Sequence, residues 1–380
     1  MTVGAQLTRV TMAWQIYDLT GSALALGLSG VFSALPLVPV SLVGGALADA
    51  VERRKLLLIT AAGGMLTVAT LCALTFAGQI AVWHLYASGF VMTITGVLDR
   101  PARQALIPSL VPREHLLNAY TVMTTLAQAG GLVGPMLAGV ALAVGGPALA
   151  YAVHALSFLA VVGALVLLRA QPTKGGVRKA SLGSIVEGLR FVWSKQFILG
   201  LLGLDVAAML FGYYQTLLPV FARDILHVGE LGFGLLSAAP AVGSLVGATL
   251  MLMLGTVRRP GLLMLGAVVG YGAALIGLGS ASWLGVALSC AAMLGLMDAI
   301  SMAVRHTAVQ LATPDDLRGR VSSAMQISVQ GGNSLGAINA GFGASLLGAG
   351  PATMLGGVLV ALAAGLIGWR VRPVRDYRGG

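Results

Sequence analysis

The sequence predicts an all-α integral membrane protein whose chain crosses the bilayer twelve times, in two halves of six helices each. Of its 380 residues, 57% are apolar and only 9% are charged, whereas a soluble domain carries about 25% charged residues. The apolar residues form runs of about 20, the helix length that crosses about 30 Å of hydrocarbon. Short polar segments separate these runs, and the pattern of the first six runs recurs in the next six.

Composition also indicates which partners to expect. The net charge of +10 would suggest nucleic acid in a soluble protein, but a protein with many spans keeps Lys and Arg in its inner loops. The apolar runs leave no large basic surface, so we expect a lipid bilayer and no nucleic acid as partner. Cys72 and Cys290 lie inside apolar runs and are interpreted as small hydrophobic residues without a disulfide.

Six spans are predicted in residues 1–170, the first half. Span one, residues 5–19, is shorter than the about 20 residues of a full crossing, so we expect the native start to lie about 10–15 residues upstream. Span two, residues 25–48, contains Pro36 and Pro39, which bend a helix because proline lacks an N–H and crowds the preceding turn. Spans three to six are predicted at residues 56–77, 80–98, 117–144 and 148–168, with a polar inner loop at residues 99–114.

A polar cytoplasmic linker at residues 171–196 separates the halves. Within it, Ser181 is a candidate N-cap, and apolar residues from Leu182 to Trp193 follow at helical spacing. This pattern predicts an amphipathic helix lying at the membrane surface. The second half, residues 197–372, contains spans seven to twelve at residues 197–221, 232–254, 261–279, 283–304, 321–347 and 351–369, and residues 373–380 form a cytoplasmic tail.

The second half repeats residues of the first at a nearly constant distance. The matched pairs are Gly30 with Gly234, Pro36 with Pro240, Arg54 with Arg258, and Arg103 with Arg305. The first three pairs are 204 residues apart (240 − 36 = 204) and the fourth pair is 202 apart (305 − 103 = 202). Because each half has an even number of spans, the two copies share one orientation and form parallel halves related by an axis along the membrane normal.

The distribution of basic residues predicts the topology. Loops after the even-numbered spans, together with the C-terminal tail, hold nearly every Lys and Arg outside the spans, whereas the opposite loops hold Arg223 alone. Basic loops remain in the cytoplasm. We therefore predict a multi-pass protein of the bacterial plasma membrane with both termini in the cytoplasm.

The turn between spans two and three carries the polar motif Gly45-x3-Asp49-x3-Arg53-Arg54. This motif resembles the loop signature of the major facilitator superfamily. The resemblance implies the fold of that superfamily, in which two six-helix bundles surround a central cavity lined mainly by spans one, four, seven and ten. It also implies a cytoplasmic latch, to which we assign the motif residues and Arg103.

A second motif lies in span five, where Gly130, Gly134, Pro135 and Gly139 resemble the glycine-proline signature of antiporters in the superfamily. Small residues allow neighbouring helices to approach closely, so close packing alone is the alternative interpretation. Further stretches at residues 101–105 and 313–320 narrow the resemblance to the branch of enterobactin exporters and drug efflux proteins.

Three ionisable residues lie inside predicted spans, where a charge is costly and indicates a functional site. Arg9 in span one is expected to face a wet cavity, pair with an acid or bind an anionic substrate. Asp205 in span seven and Asp298 in span ten are candidate proton-coupling residues, because withdrawal from water favours the protonated carboxyl group. The alternative for Asp298 is a structural salt bridge with Arg305, which we place near the inner loop after span ten, two helical turns away.

Uncharged polar side chains that interrupt the spans are further candidates. Facing a cavity, they would hydrogen-bond a substrate, and facing another helix, they would hold helices together, so both interpretations stay open. Gln326, Gln330 and Asn333 share one helical face, at spacings of four and three. The candidate cavity residues are Arg9, Gln15, Gln128, Tyr213, Tyr214, Gln326, Gln330 and Asn333.

The sequence contains no nucleotide-binding loop, zinc motif or hydrolase nucleophile elbow. We therefore predict no enzymatic activity, no metal and no cofactor. The resemblance and the intramembrane acids predict a monomeric secondary transporter that exports a small amphipathic molecule, a siderophore or a drug-like compound, in exchange for protons by alternating access. The first alternative is a facilitative or inward-directed carrier, and the second is a membrane receptor or scaffold without transport.

Overall fold

The computed structural model describes residues 1–37, 39–41, 52–167, 190, 193, 195–255, 257–315 and 317–377, and it describes only the backbone of residues 105, 109, 323, 324 and 327. Helices account for nearly all of these residues, and no β-strand occurs among them. The predicted all-helical fold class is confirmed. The span numbers introduced above are kept for the helices found at those positions.

Helices occur at all six predicted positions of the first half. Span one is Thr2–Thr20 and ends at Gly21, whose φ of 59° is in the left-handed region that favours glycine. Span two starts with Ala23–Ala34 and is interrupted by a turn at Pro36, as predicted, before it resumes up to residue 41. Spans three and four are Arg53–Phe76 and Val82–Leu106. Spans five and six together are Leu116–Leu167, with non-helical backbone at Gly145 and Gly146 between them.

Helices also occur at the six predicted positions of the second half. Spans seven to twelve are Gln196–Gly212, Gly229–Leu254, Pro260–Gly279, Leu284–Ala312, Arg318–Leu347 and Ala349–Arg370, and a short helix, Arg372–Arg375, follows. Eight of the described helical segments are long and apolar enough to cross a membrane, and one of them, Arg113–Leu167, contains spans five and six. Spans one, four and eleven are more polar and are not among the eight, so the number twelve stays a prediction.

Spans four and ten are longer than predicted. Span four was expected to end at residue 98 and continues to Leu106, and span ten was expected to end at residue 304 and continues to Ala312. Polar residues show where a helix leaves the hydrocarbon, not where its hydrogen bonding stops. The first part of the predicted loop at residues 99–114 is therefore helical, and Arg305 is inside a helix.

The segment Gln196–Ile225 is long and apolar enough to cross a membrane, which agrees with the predicted span seven, but a continuous helix over residues 197–221 is wrong. The helix ends at Gly212, Tyr213 and Tyr214 follow outside the helix, and short turns of other helix types continue from Gln215–Leu217 to Phe221–Ile225. Pro219 stands in the first turn of the Leu218–Val220 segment, where its missing N–H leaves no bond unmade. Proline cannot continue a helix from the preceding turn, so Pro219 prevents regular α-helix over residues 215–219; the break at Tyr213 and Tyr214 lies before that turn.

The described chain divides into two compact units. The first comprises Met1–Gly21 and Val31–Ser181, and the second comprises Ser22–Gly30 and Leu182–Gly380. In the first unit, Leu56, Leu57, Ala102 and Leu106 form a buried cluster between the start of span three and the end of span four. Apart from residues 190, 193, 195 and 196, the predicted linker with its amphipathic helix lies outside the described residues, as do residues 42–51, which include the predicted end of span two; the tail is described only to residue 377.

Glycines determine how closely the helices of the second unit approach. A Cβ atom placed on Gly243 of span eight would collide with the Ala292 carbonyl oxygen of span ten, and one on Gly295 would collide with the Pro240 carbonyl oxygen. Spans eight and ten are therefore in backbone contact, which requires residues without side chains at these positions. This close approach fixes the position of span ten, which carries Asp298 and Arg305.

Candidate functional site

The second unit contains a buried ion pair between spans seven and ten. Arg305 Nη1 binds Asp205 Oδ1, and the two side chains are only 4% and 5% exposed. Asp205 lies in the middle of the Gln196–Gly212 helix, and Arg305 lies two turns before the end of span ten. The expected position of Arg305 near an inner loop is wrong, and its ion-pair partner is Asp205, not Asp298.

This ion pair is incompletely hydrogen-bonded. Asp205 Oδ2 and Arg305 Nε are buried and have no hydrogen-bond partner among the described residues. A buried polar atom without a partner costs about 1–3 kcal/mol. A cavity of about 10 Å³ lies beside the pair, which is close to the minimum volume that holds one water molecule.

Asp298, Ser301 and Tyr271 also line this small cavity. Asp298 is exposed and lies seven residues, about two helical turns, before Arg305 on the same helix. Arg305 is therefore positioned between a buried acid on span seven and an accessible acid on its own helix.

Tyr271 of span nine links the small cavity to the break in span seven. Its hydroxyl group donates a hydrogen bond to the Gly212 carbonyl oxygen at 3.0 Å. The Asn339 side-chain amide donates a second hydrogen bond, to the Leu210 carbonyl oxygen at 2.9 Å. Carbonyl groups at a helix end lack intrahelical partners and must be satisfied in a low-dielectric surrounding. Side chains of spans nine and eleven thus stabilise the broken end of the helix that carries Asp205.

The candidate cavity residues of the first unit have different surroundings. Arg9 is exposed and forms no ion pair within the described part of the chain. Gln15 is buried, accepts a hydrogen bond from the Tyr151 hydroxyl at 2.7 Å, and donates one to the Thr75 hydroxyl at 3.1 Å. Its amide therefore joins spans one, three and six, which is the helix-packing alternative. Gln128 is exposed on span five.

The candidates of the second unit fall on spans seven and eleven. Tyr213 and Tyr214 lie at the break in span seven and line a cavity of about 120 Å³. On span eleven, Gln326 is exposed, and Gln330 and Asn333 are half-buried. All three residues belong to the helix Arg318–Leu347. Their spacings of four and three therefore place them on one face of that helix.

The predicted latch is described only in part. Gly45 and Asp49 lie outside the described residues, and Arg53 is in the first turn of span three. Arg54 donates hydrogen bonds from Nε to the Leu165 carbonyl oxygen at 2.8 Å and from Nη2 to the Val166 carbonyl oxygen at 2.7 Å. It therefore binds the carboxyl-terminal end of span six.

Arg103, also assigned to the latch, binds within its own helix. Its Nη2 atom pairs with Asp99 Oδ2, one turn earlier, and lies 2.9 Å from Met1 Sδ. Its side chain remains 34% exposed. Like Arg54, it contacts other residues of the first unit.

The glycine motif of span five packs on span one. A Cβ atom on Gly130 would lie 2.9 Å from Thr2 Cγ2, and one on Gly134 would lie 2.7 Å from Gln6 Cβ. Pro135 lies inside the helix, and Gly139 is buried. The motif thus makes the close helix contact that its small residues allow.

Sequence reasoning gave Arg305 the wrong partner and missed Tyr271. Arg305 was noticed through its repeat of Arg103, but the neighbouring polar residues placed it near a loop. Tyr271 stands alone in an apolar stretch and gives no signal in the sequence, because its importance depends on a carbonyl group 59 residues away.

Comparison with known proteins places these features in a family. The family of transmembrane secretion effectors matches residues 1–377. The enterobactin exporter EntS of Citrobacter koseri is 31% identical over 337 residues, which cover 88% of this chain and 80% of that protein. The enterobactin exporter EntS of Shigella boydii is 29% identical over 338 residues, with the same coverage.

Solved structures show the same fold. A bacterial homologue of the human lysosomal transporter Spinster, in an inward-facing and unoccupied conformation, superimposes with a TM-score of 0.77 at 15% identity, over 100% of this chain and 97% of that chain. The nucleoside transporter NupG superimposes with a TM-score of 0.73 at 12% identity, over 99% of this chain and 100% of that one. At these identities the likeness concerns the fold alone.

Proposed function

Because the chain belongs to the transmembrane secretion effectors of the major facilitator superfamily, we propose that it exports a small amphipathic molecule in exchange for protons. It is a multi-span transporter and not an enzyme. The observation that carries the proton-coupling proposal is the buried Asp205–Arg305 pair, which leaves one polar atom of each partner unsatisfied. An ion pair of this kind can be opened by a single proton.

The proposed coupling step uses three side chains. Protonation neutralises Asp205 and removes the charge that holds Arg305. Arg305 then pairs with Asp298, which borders the same small cavity and is accessible. Deprotonation of Asp205 reverses the exchange, because a buried carboxylate requires a cation beside it. Because Arg305 belongs to span ten, its change of partner couples the protonation state of Asp205 on span seven to span ten.

Alternating access would convert this exchange into export. In the proposal, the two halves expose a central cavity to each side of the bacterial plasma membrane in turn, and the protein acts as a monomer with both termini in the cytoplasm. Arg9, Gln128, Tyr213, Tyr214, Gln326, Gln330 and Asn333 remain candidates for binding the exported molecule. Gln15 is not retained, because its amide is used between helices.

The proposed exported molecule is a siderophore of the enterobactin type or a drug-like compound. The support is the identity of about a third with proteins named enterobactin exporters. We also retain the latch of Gly45, Asp49, Arg53, Arg54 and Arg103 as a proposal for holding the cytoplasmic side closed.

Efflux from proteoliposomes tests the coupling. Vesicles containing the full chain are loaded with enterobactin, and efflux is measured with and without an acidic external buffer. We expect the acidic exterior to accelerate efflux by the wild type and by Asp315→Asn, a matched acid in an exposed pair with Arg318. Asp205→Asn should retain at most slow efflux that ignores the pH gradient.

Three results would overturn parts of this proposal. A wild type that releases enterobactin equally at every external pH is a downhill carrier, and an Asp205→Asn protein that keeps the pH response has another coupling site. The same assay is run with ethidium as the drug-like compound. If neither enterobactin nor ethidium leaves faster than from loaded vesicles that lack the protein, export of both compound classes is refuted. The double variant Asp205→Asn/Arg305→Gln removes both charges, so that loss of coupling can be separated from loss of folding.

A further inference from the structure

The second unit contains another cavity, distinct from the one beside Asp205. It has a volume of about 120 Å³ and lies at the break in span seven, between spans seven, eleven and twelve. Phe211, Tyr213 and Tyr214 supply aromatic walls, and the remainder consists of leucines such as Leu275 and Leu359, small residues, and the polar residues Asn339 and Thr353. Tyr213 and Tyr214 are retained above as candidates for binding the exported molecule, but the proposed proton-coupling step does not use this cavity.

Two polar side chains of this cavity already donate hydrogen bonds to backbone carbonyl groups. Asn339 Nδ2 donates to the Leu210 carbonyl oxygen at 2.9 Å, and the Thr353 hydroxyl group donates to the Ala349 carbonyl oxygen at 2.7 Å. None of the residues that line the cavity is charged. A charged ligand would lose its hydration here without compensation, so the walls select an uncharged, apolar group.

Access to the cavity is from an apolar surface. Leu347 and Leu355 line it and are 53% and 48% exposed. Leu355 belongs to span twelve, one of the helices long and apolar enough to cross a membrane, so we expect this surface to meet lipid hydrocarbon, in which apolar molecules concentrate. A ligand can therefore enter from the bilayer without crossing water.

We propose that this cavity binds one uncharged, single-ring aromatic group. A dry protein cavity of about 150 Å³ takes up benzene, and the volume here is only slightly smaller. The three aromatic side chains offer ring contacts in addition to apolar burial. The proposal concerns binding alone and does not depend on export.

The site has a structural consequence for span seven. Tyr213 and Tyr214 have no regular helical hydrogen bonding, and the cavity is adjacent to them. A ring in the cavity fills the space into which this segment could otherwise move. Occupation therefore stabilises the broken form of the helix that carries Asp205.

Two glycine variants provide a filled cavity and a matched control. Gly343 lines the cavity, and a Cβ atom placed there would make only an ordinary contact with Ala352 Cβ at 3.6 Å. Gly343→Leu therefore fills the space with little strain. Gly365 of span twelve has no atom within 4 Å of an added Cβ, so Gly365→Leu adds the same side chain away from the cavity.

The experiment measures thermal unfolding of the purified full chain in detergent during titration with benzene. We expect a saturable rise in the Tm of the wild type and of Gly365→Leu, and no benzene-dependent rise for Gly343→Leu. No rise in the wild type, or equal rises in all three proteins, would overturn the proposal, because equal rises indicate an effect of benzene on the micelle.

A second filler and a charged probe cover the case in which Gly343→Leu does not fold. Ala340→Leu fills the same cavity from the same helix and should also abolish the response. Benzylamine has the same ring and a positive charge, so it should not raise the Tm of the wild type. Equal responses to benzene and benzylamine would refute selection by this cavity.

Discussion

Two arginines at matching repeat positions, Arg103 and Arg305, have opposite environments. Arg103 is 34% exposed and pairs with Asp99, one turn earlier in span four. Arg305 is 4% exposed and pairs with Asp205 of span seven. The first pair links two turns of one helix, whereas the second joins two helices and is withdrawn from water.

The sequence difference behind this contrast is a single acid. The position that repeats Asp99 is residue 301 (99 + 202 = 301), and it is Ser301. Arg305 therefore has no acid one turn earlier. In the first unit Arg103 also contacts Met1, and the residue that matches Met1 at a shift of 204 is Asp205 (1 + 204 = 205). The same pair of positions meets in both units, but only the second unit carries opposite charges there.

The largest predicted effect is the loss of stability on removing Arg305, compared with the small loss on removing Arg103. Arg305→Met leaves Asp205 buried without a partner, which costs about 3–5 kcal/mol when a buried pair is broken. Arg103→Met breaks a partly exposed pair and should cost at most about 1 kcal/mol. Unfolding of the purified variants by denaturant, followed by circular dichroism, measures both values.

A double variant checks the cause of that difference. Asp205→Leu/Arg305→Met replaces both charges by apolar side chains, which is often neutral or stabilising for a buried pair. We expect it to recover most of the stability that Arg305→Met loses. A double variant as unstable as the single one would show that the charge of Asp205 is not the cause.

A medium effect is expected from the glycines that bring span ten into place. Gly243→Ala puts a methyl group against the Ala292 carbonyl oxygen, and such overpacking costs about 1–3 kcal/mol. Gly134→Ala in the first unit meets Gln6 Cβ at 2.7 Å and the Val3 carbonyl oxygen at 2.9 Å, and because both atoms lie farther away than the Ala292 oxygen does from a Cβ atom at Gly243, its cost should be lower. Denaturant unfolding gives the ranking.

Gly266→Ala is the control for these two variants. No atom lies within 4 Å of a Cβ atom at Gly266 in span nine, so the substitution should leave the protein equally or slightly more stable, because alanine favours helix. If all three variants lose the same stability, the close approach of spans eight and ten is not the reason for the loss.

The smallest effect is expected from a second pair of matching arginines. Arg54 donates two hydrogen bonds to carbonyl groups at the end of span six, whereas Arg258 is exposed and has no hydrogen bond within the described part of the chain. Arg54→Gln should cost about 1 kcal/mol, and Arg258→Gln should be within about 0.5 kcal/mol of the wild type. Thermal unfolding of the two variants side by side distinguishes them, and equal shifts would contradict an anchoring role for Arg54.

Much of the fold could be predicted because it depends on local chemistry. Runs of apolar residues identify the spans, and Pro36 interrupts span two as expected. Helix ends were less predictable, since Asp99 and Arg103 are polar yet helical. The break after Gly212 was missed, although Pro219 is visible in the sequence, because proline indicates a disturbance without giving its extent.

The candidate site was predictable only as a set of unusual residues. Asp205 and Asp298 were selected because charge is costly inside a span, and both border the small cavity. Gln15 was selected by the same kind of reasoning and instead binds Tyr151 and Thr75. A sequence shows that a polar group must find a partner, but not which helix supplies it.

By itself, the sequence determined the membrane location and the helical class, because these depend on burial of apolar runs and on spacing along the chain. The tertiary structure alone decided that Arg305 pairs with Asp205, that Tyr271 binds the broken end of span seven, and that a second cavity lies beside that break. These contacts join residues that are 59 to 100 positions apart. Their geometry depends on how closely helices approach, which is set by packing in three dimensions.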